Sequence, residues 1–157
     1  SGNARLAAVT GSGSSSEGRV CATSNQFCVQ PVTKGDFDMA NVAESLKAIL
    51  SIDGAMGCAL VDVESGMALG TAGGGINLEI AAAGNTEVVR AKLRVAKSLG
   101  ITGGIEDILI TLTHQYHIIR PVAKHNGLFI YYVLDRNRAN LAMARRKVQD
   151  LEAQTTL

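Results

Sequence analysis

The chain has 157 residues, of which 46% are hydrophobic and 18% are charged, a composition typical of one globular domain with an additional segment. The formal net charge is +1, aromatic residues make up 4%, and there is no tryptophan, which argues against nucleic-acid and membrane-surface binding. No apolar run reaches the ~20 residues of a membrane span and no signal-peptide pattern is visible, so the composition predicts a cytoplasmic protein without membrane insertion.

The first 38 residues differ in composition from the rest. They are rich in glycine and serine and lack a sustained hydrophobic period, which indicates either a flexible N-terminal extension or residues added for expression ahead of a native start at Met39. Residues 20–32 have some strand character and are either a short added strand or a weakly ordered lead-in. Cys21 and Cys28 match no standard zinc spacing, and their redox state stays open, whereas Cys58 is predicted to be buried.

A regular pattern begins at Met39 with a helix whose N-cap is either Asp38 or Asn41. Its predicted buried residues, at helical spacing, are Val42, Leu46, Ile49 and Leu50. Residues 56–63 and 67–71 then form two strands of a hairpin, joined by a short loop that contains glycine.

A long helix is predicted to follow, with Asn77 as its N-cap, and it ends before Gly100. Twenty-three residues without proline would span roughly 35 Å. The helix carries two apolar stripes instead of one: Val88, Val95 and Leu99 on one side, and Val89, Leu93 and Ala96 on a neighbouring side. Together they are wider than contact with one sheet face requires, so part of this helix is expected to contact another molecule.

The strand predicted at residues 105–113 is apolar and has charged residues only at its entrance. At the edge of a sheet such a strand needs a partner strand or a cover. A symmetric dimer that pairs both the strand and the long helix with their copies satisfies this need. The predicted dimer interface consists of Val88, Val95, Leu99, Ile105, Ile108, Ile110 and Leu112.

Two further strands, at 116–122 and 128–134, and a final helix are predicted to complete the domain. The second of these strands is apolar on both faces and is therefore expected to be central, whereas Pro121 is expected at a strand end or a bulge. The final helix is expected to begin after a cap at 135–137 and to bury Leu141, Ala144, Val148 and Leu151. The predicted fold class is α/β (α+β), a five-stranded antiparallel sheet with helices on both faces in the order α-β-β-α-β-β-β-α.

Three segments carry a resemblance to a known family: ALVDVESGMALG, DILITLTHQYHIIRPV and LFIYYVLDRNRANLAMARRKVQDLE. With the order of elements, they resemble the roadblock / dynein light chain superfamily, in particular its prokaryotic members, across residues 39–154. The resemblance implies a homodimer in which the strand after the long helix pairs with its copy. It also implies two antiparallel long helices on one face of the resulting sheet.

Members of this family are non-enzymatic partners of small Ras-like GTPases, and some promote GTP hydrolysis by reshaping the GTPase. Others are scaffolds or light-chain subunits. The resemblance therefore implies a GTPase regulator or adaptor, with a scaffold insensitive to nucleotide state as the alternative. A small-molecule sensor is a third interpretation and would need a closed internal pocket.

Arg90, Arg94 and Lys97 form a basic ridge on the long helix and are the predicted partner-binding residues. The alternative is a solvated helix face on which Glu87 pairs weakly with Arg90. Both interpretations stay open at this point.

No catalytic, cofactor or metal site is predicted. The glycine cluster at 70–75 lacks the spacing and the lysine of a phosphate-binding loop, and a flexible connection is expected there instead. His114, His117 and His125 are expected at surface or turn positions, and no nucleophile has an evident activating base.

Overall fold

The structure is a computed structural model that describes residues 38–154. The predictions for Cys21, Cys28 and the segment 20–32 fall outside the described residues. The described part contains three helices and five strands: α1 (Met39–Leu50), β1 (Ala55–Asp62), β2 (Ala68–Gly73), α2 (Leu78–Ser98), β3 (Ile108–Thr111), β4 (Gln115–Pro121), β5 (Leu128–Asp135) and α3 (Leu141–Gln154).

All neighbouring strands are antiparallel, and their order across the sheet is β2-β1-β5-β4-β3. α1 and α3 pack against one face and α2 against the other, because the alternating residues of β1 and β5 divide between two apolar clusters. The predicted fold class and element order are confirmed. Among the described helices, none is both long and apolar enough to cross a membrane.

The helix ends follow from local sequence signals. The Asp38 carboxylate accepts a hydrogen bond from Ala40 N, and the Asn77 side chain accepts one from Ile80 N, so these residues cap α1 and α2. Gly100, with φ +67°, follows the last residues of α2 in the left-handed conformation that glycine adopts most easily. The cap predicted at 135–137 for α3 is wrong, because the Asn140 side chain accepts from Met143 N instead.

Strand bounds differ from the prediction mainly at β3. Regular pairing with β4 begins at Ile108 and ends at Thr111, so Ile105 precedes the strand. The glycine cluster is also more ordered than predicted, since β2 continues to Gly73. Pro121 is the last residue of β4, where a missing N–H is tolerated, as predicted.

β5 forms the centre of the sheet, and every residue from Leu128 to Leu134 is buried. Its neighbour β1 contains Cys58, whose thiol is fully buried and donates to the carbonyl oxygen of Leu46. Burial raises the pKa of this thiol to about 12, so Cys58 is an inert core residue, as predicted.

Two ion pairs fasten α3 to the sheet. The buried carboxylate of Glu152 accepts hydrogen bonds from Arg120 Nε and, at 2.7 Å, from Ala123 N. Arg145 binds both carboxylate oxygens of Asp107 at 2.7 and 2.9 Å, just before β3. The predicted buried stripe of α3 is confirmed at Ala144 and Val148, and the sequence analysis missed Glu152.

Candidate dimer and partner interface

The apolar residues of α2 have two different environments. Leu78, Ala82 and Val89 are buried against the sheet. Val88, Val95 and Leu99 remain 38%, 48% and 67% exposed. α2 therefore buries its first half against the sheet and leaves the stripe Val88, Val95 and Leu99 open. Of the second predicted stripe only Val89 is buried, since Leu93 is 46% exposed.

The open stripe lies on the side of α2 that faces β4 and β3. Asn85, Val88, Val95 and Leu99 fall within about 80° of one another at 3.6 residues per turn. The Asn85 side chain lies close to the Tyr131 hydroxyl of β5, so this side of the helix faces the half of the sheet that contains β4. α2 itself packs over β1 and β2, so the half of the sheet formed by β4 and β3 is less covered.

β3 is the edge strand beside this open stripe. Its backbone pairs with β4 on one side, and no described strand pairs with its other side. Leu109 and, just after the strand, Leu112 are 37% and 44% exposed. The unpaired edge of β3, these two leucines and the stripe Val88, Val95 and Leu99 are called the edge surface below.

The remaining residues predicted for the dimer interface are more enclosed. Ile108 and Ile110 point toward the α2 side of the sheet, where they are half-buried against its apolar cluster. Ile105 is half-buried in the loop before β3 and lines a cleft beside Leu93. The structure thus brings most of the predicted interface residues to one side of the molecule.

The three residues of the predicted basic ridge differ in their contacts. Arg90 binds within its own chain, where its guanidinium donates to the carbonyl oxygens of Val63 and Glu64 and pairs with Glu87 at 2.9 Å. Arg94 and Lys97 are exposed, and neither forms an ion pair with another described residue. Of the three ridge residues, only Arg94 and Lys97 have charged groups without an ion-pair partner among the described residues.

A chain of hydrogen bonds runs under α2 toward the open half of the sheet. The Tyr131 hydroxyl lies 2.8 Å from His117 Nδ1, and His117 Nε2 lies 2.9 Å from Gln115 Oε1. The Gln115 amide in turn approaches Met56 Sδ at 3.7 Å. Burial lowers the pKa of His117 and raises that of Tyr131 to about 12. His117 was expected at a surface or turn position but is half-buried in β4.

The apolar core offers no ligand cavity between α1 and the sheet, where the internal space is about 10 Å³, less than one water molecule needs. A larger cleft of about 590 Å³ lies beside the C-terminal half of α2, lined by exposed residues such as Leu93, Gly103 and Ala123. Within residues 38–154, no group of three His, Cys, Asp or Glu side chains could hold a metal ion. These observations give no support to the small-molecule sensor.

Solved structures resemble this architecture closely. Myxococcus xanthus MglB superimposes with a TM-score of 0.66 at 15% identity, covering 74% of this chain and 85% of that one. The Roadblock/LC7 domain from Streptomyces avermitilis gives 0.60 at 11% identity, covering 68% and 87%. The chain has a roadblock-type fold.

A third structure, MglB with a tetrameric arrangement, gives a TM-score of 0.61 at 18% identity, and the match covers 73% of this chain and 83% of that one. No protein-family model matches the sequence, and no curated protein matches it either. At these identities the likeness establishes the fold alone. The resemblance inferred from the sequence is thereby confirmed at the level of fold.

Proposed function

We propose that the chain is a homodimeric, non-enzymatic regulator or adaptor that binds a small Ras-like GTPase in the cytoplasm. The observation that carries the proposal is the edge surface, where an unpaired strand edge lies beside an apolar helix stripe that the protomer leaves open. The roadblock-type fold supports the GTPase as partner, because the family includes partners of such GTPases.

The edge surface is best suited to binding a second copy of the chain. A partner β3 running antiparallel would pair the open N–H and C=O groups and join five strands from each copy into one sheet. The same twofold axis would bring the two Val88, Val95 and Leu99 stripes together, removing both from water. The tetrameric arrangement of one MglB structure supports self-association through this fold.

The GTPase would bind on a different side of α2. Arg94 and Lys97 lie outside the open stripe, at roughly 100° and 160° from Val95 around the helix axis. Two unpaired basic residues on a rigid helix suit an acidic surface on the GTPase and would speed its association. Because the two sides are separate, dimerisation and GTPase binding can be disrupted independently.

The alternative is a scaffold whose binding ignores the nucleotide state of its partner. The internal role of Arg90 favours it, because the charge available for a partner is smaller than the sequence suggests. Promotion of GTP hydrolysis belongs to the first proposal only.

The two functions are separated by a pull-down from native lysate with the purified chain as bait, in parallel with a GTP analogue and GDP. Recovery of a Ras-like GTPase only with the analogue supports the regulator, and its hydrolysis rate with and without the chain is then measured. Recovery of the same proteins in both states supports the scaffold. Absence of any Ras-like GTPase in both would contradict the regulator.

Charge-reversal variants locate the GTPase contact. The double variant Arg94→Glu, Lys97→Glu should lose the GTPase while remaining dimeric. Lys147→Glu is the matched control, since Lys147 is exposed on α3 at the opposite face of the sheet. Equal losses in both would contradict the placement on α2.

A further inference from the structure

We infer that residues 27–32 of this chain bind the open edge of β2 as an added strand, antiparallel to it. β2 is the edge strand at the far side of the sheet from β3, and no described strand pairs with its outer side. Its sequence contains neither a charged residue nor a proline that would discourage pairing. This edge is separate from the proposed dimer contact at β3, so the inference does not depend on the homodimer.

Thr71 and Gly73 carry the backbone groups that an added strand would use. Next to them, Gly74 N donates to the carbonyl oxygen of Met56 in β1. Inward and outward groups alternate along an antiparallel strand, so the N–H and C=O of Thr71 and the N–H of Gly73 point away from β1. Both residues are exposed. The edge thus offers two donors and one acceptor to a neighbouring strand.

The chain enters α1 beside this same edge. The Val42 side chain of α1 lies against Gly70 of β2, where an added Cβ would come within 3.2 Å of Val42 Cγ1. Further along both elements, Leu50 Cδ1 would come within 2.7 Å of a Cβ on Gly73. α1 therefore runs alongside β2 in the same direction, and its first residues lie near Ala68. A segment that precedes α1 starts from this end of the β2 edge.

The chain ahead of α1 is long enough to reach along the whole edge. From Val32 to Asp38 it spans up to roughly 20 Å when extended. With Val32 near Ala68, the preceding residues would run back along β2 and place Phe27 opposite Gly73. A tether this short gives an effective concentration on the order of millimolar. In dilute solution, the chain's own segment would therefore occupy the edge ahead of a second copy.

The sequence of the segment suits an edge strand. Residues 20–32 contain no charged residue, and the part that would pair includes the aromatic Phe27 and the β-branched Val29. Pro31 cannot donate a backbone hydrogen bond. It would fall opposite Leu69, however, where the register between β1 and β2 shifts and regular pairing is interrupted. The proline is therefore compatible with a paired stretch that ends beside it.

Phe27 and Val29 would form the contact itself. Val29 would pair with Thr71 through both of its backbone groups, and the Phe27 carbonyl would accept from Gly73 N. Their side chains would lie on the α2 side of the sheet, because Thr71 is opposite Ala59 of the α2-side apolar cluster. An aromatic residue in this position also covers the backbone that an edge glycine leaves exposed.

A covered β2 edge limits how the protein can assemble. A chain with open edges at both β2 and β3 could add copies at either side of its sheet and form an open-ended polymer. With the β2 edge occupied by the chain's own residues, only the β3 edge remains for a second copy.

The test is amide hydrogen exchange of the full chain, measured by NMR for the wild type, Val29→Pro and Ser14→Pro. Val29→Pro removes the N–H that would donate to Thr71, whereas Ser14→Pro lies in the Gly/Ser-rich stretch outside the segment. We expect the amides of Thr71 and Gly73 to exchange about tenfold faster in Val29→Pro than in the wild type. Ser14→Pro should behave as the wild type. The Ala72 amide, which points toward β1, should stay protected in all three and reports that the domain is folded.

Rapid exchange at Thr71 and Gly73 in the wild type, or equal rates in the wild type and Val29→Pro, would overturn the inference. Protection that disappears on about tenfold dilution would also overturn it, because a second copy would then be covering the edge. Protection that survives dilution and is lost in Val29→Pro supports it. None of these outcomes depends on pairing at β3, so a negative result leaves the proposed homodimer and its GTPase partner unaffected.

Discussion

The Arg90 guanidinium of α2 donates two hydrogen bonds to the carbonyl oxygen of Val63, from Nε at 3.0 Å and from Nη2 at 2.7 Å. Nη2 also reaches the carbonyl of Glu64. These contacts join the middle of α2 to the turn between β1 and β2, and the Val63 N–H in turn donates to the Gly127 carbonyl in the β4–β5 turn. Arg90 thus holds the helix in place over the end of the sheet where two turns meet.

Arg90→Ala should therefore destabilise the protomer. The two carbonyl oxygens lose a charged donor, which costs about 1–3 kcal/mol, measured as the free energy of unfolding in urea. Arg94→Ala is the matched control, since its side chain is exposed, and it should change stability by no more than about 0.5 kcal/mol. Equal stabilities for the two variants would show that the Arg90 contacts contribute nothing to the fold.

The buried carboxylate of Glu152 should also contribute to the stability of the protomer. Glu152→Ala removes the partner of Arg120, whose side chain is only 16% exposed, and should cost about 3–5 kcal/mol. Glu152→Gln should cost less, because the amide oxygen still accepts from Ala123 N. Asp150→Ala, at an exposed pair with Arg146, is the control and should cost at most about 1 kcal/mol. A loss in Glu152→Ala no larger than in the control would rule out this role for the pair.

The lowered pKa of His117 predicts a pH dependence of protomer stability. The unfolded chain takes up a proton near the ordinary pKa of 6.5, whereas the folded chain resists it until a lower pH. The free energy of unfolding should consequently fall as the pH drops from 6.5 to the lowered pKa of folded His117. Below that pKa, His117 is protonated in both states and should cause no further loss. Thermal unfolding of a monomeric background, Val95→Asp, should show this decline. The double variant with His117→Gln should show less of it.

Much of the fold could be predicted because its signals are local. The ends of α2 follow from Asn77 before it and Gly100 after it, which are signals of a single residue each. β5 is recognisable from its own sequence, because its residues are apolar on both faces of the strand. The two stripes of α2 were also recognisable, since helical spacing alone separates Val88 from Val89. Val89 is buried, whereas Leu93 of the same stripe and all three residues of the other stripe stay exposed, so the helix offers more apolar surface than its own sheet covers.

The predictions that were wrong or incomplete concern residues whose roles depend on contacts with residues distant in sequence. Arg90 resembles its neighbour Arg94 in sequence, and only the position of the β1–β2 turn distinguishes a structural residue from an exposed one. Glu152 and His117 likewise acquire their roles from Arg120 and Tyr131, residues at least 14 positions away. The β3 bounds were too wide because the prediction began the strand at Ile105, ahead of the charged pair Glu106 and Asp107, whereas pairing with β4 begins only at Ile108.

The proposed homodimer buries Val95 at its interface, so Val95→Asp should separate the two copies. Val95 is 48% exposed in the protomer, so aspartate should leave the fold intact, and the far-UV circular dichroism spectrum should not change. At a twofold interface, however, each copy would bury a charge against apolar side chains. Met143→Asp is the matched control, because Met143 is 57% exposed on α3, away from the edge surface.

The decisive measurement is the molar mass in solution by sedimentation equilibrium. We expect twice the protomer mass for the wild type and for Met143→Asp, and the protomer mass for a folded Val95→Asp. A monomeric wild type, or a Val95→Asp variant as fully dimeric as the wild type, would contradict the proposed homodimer.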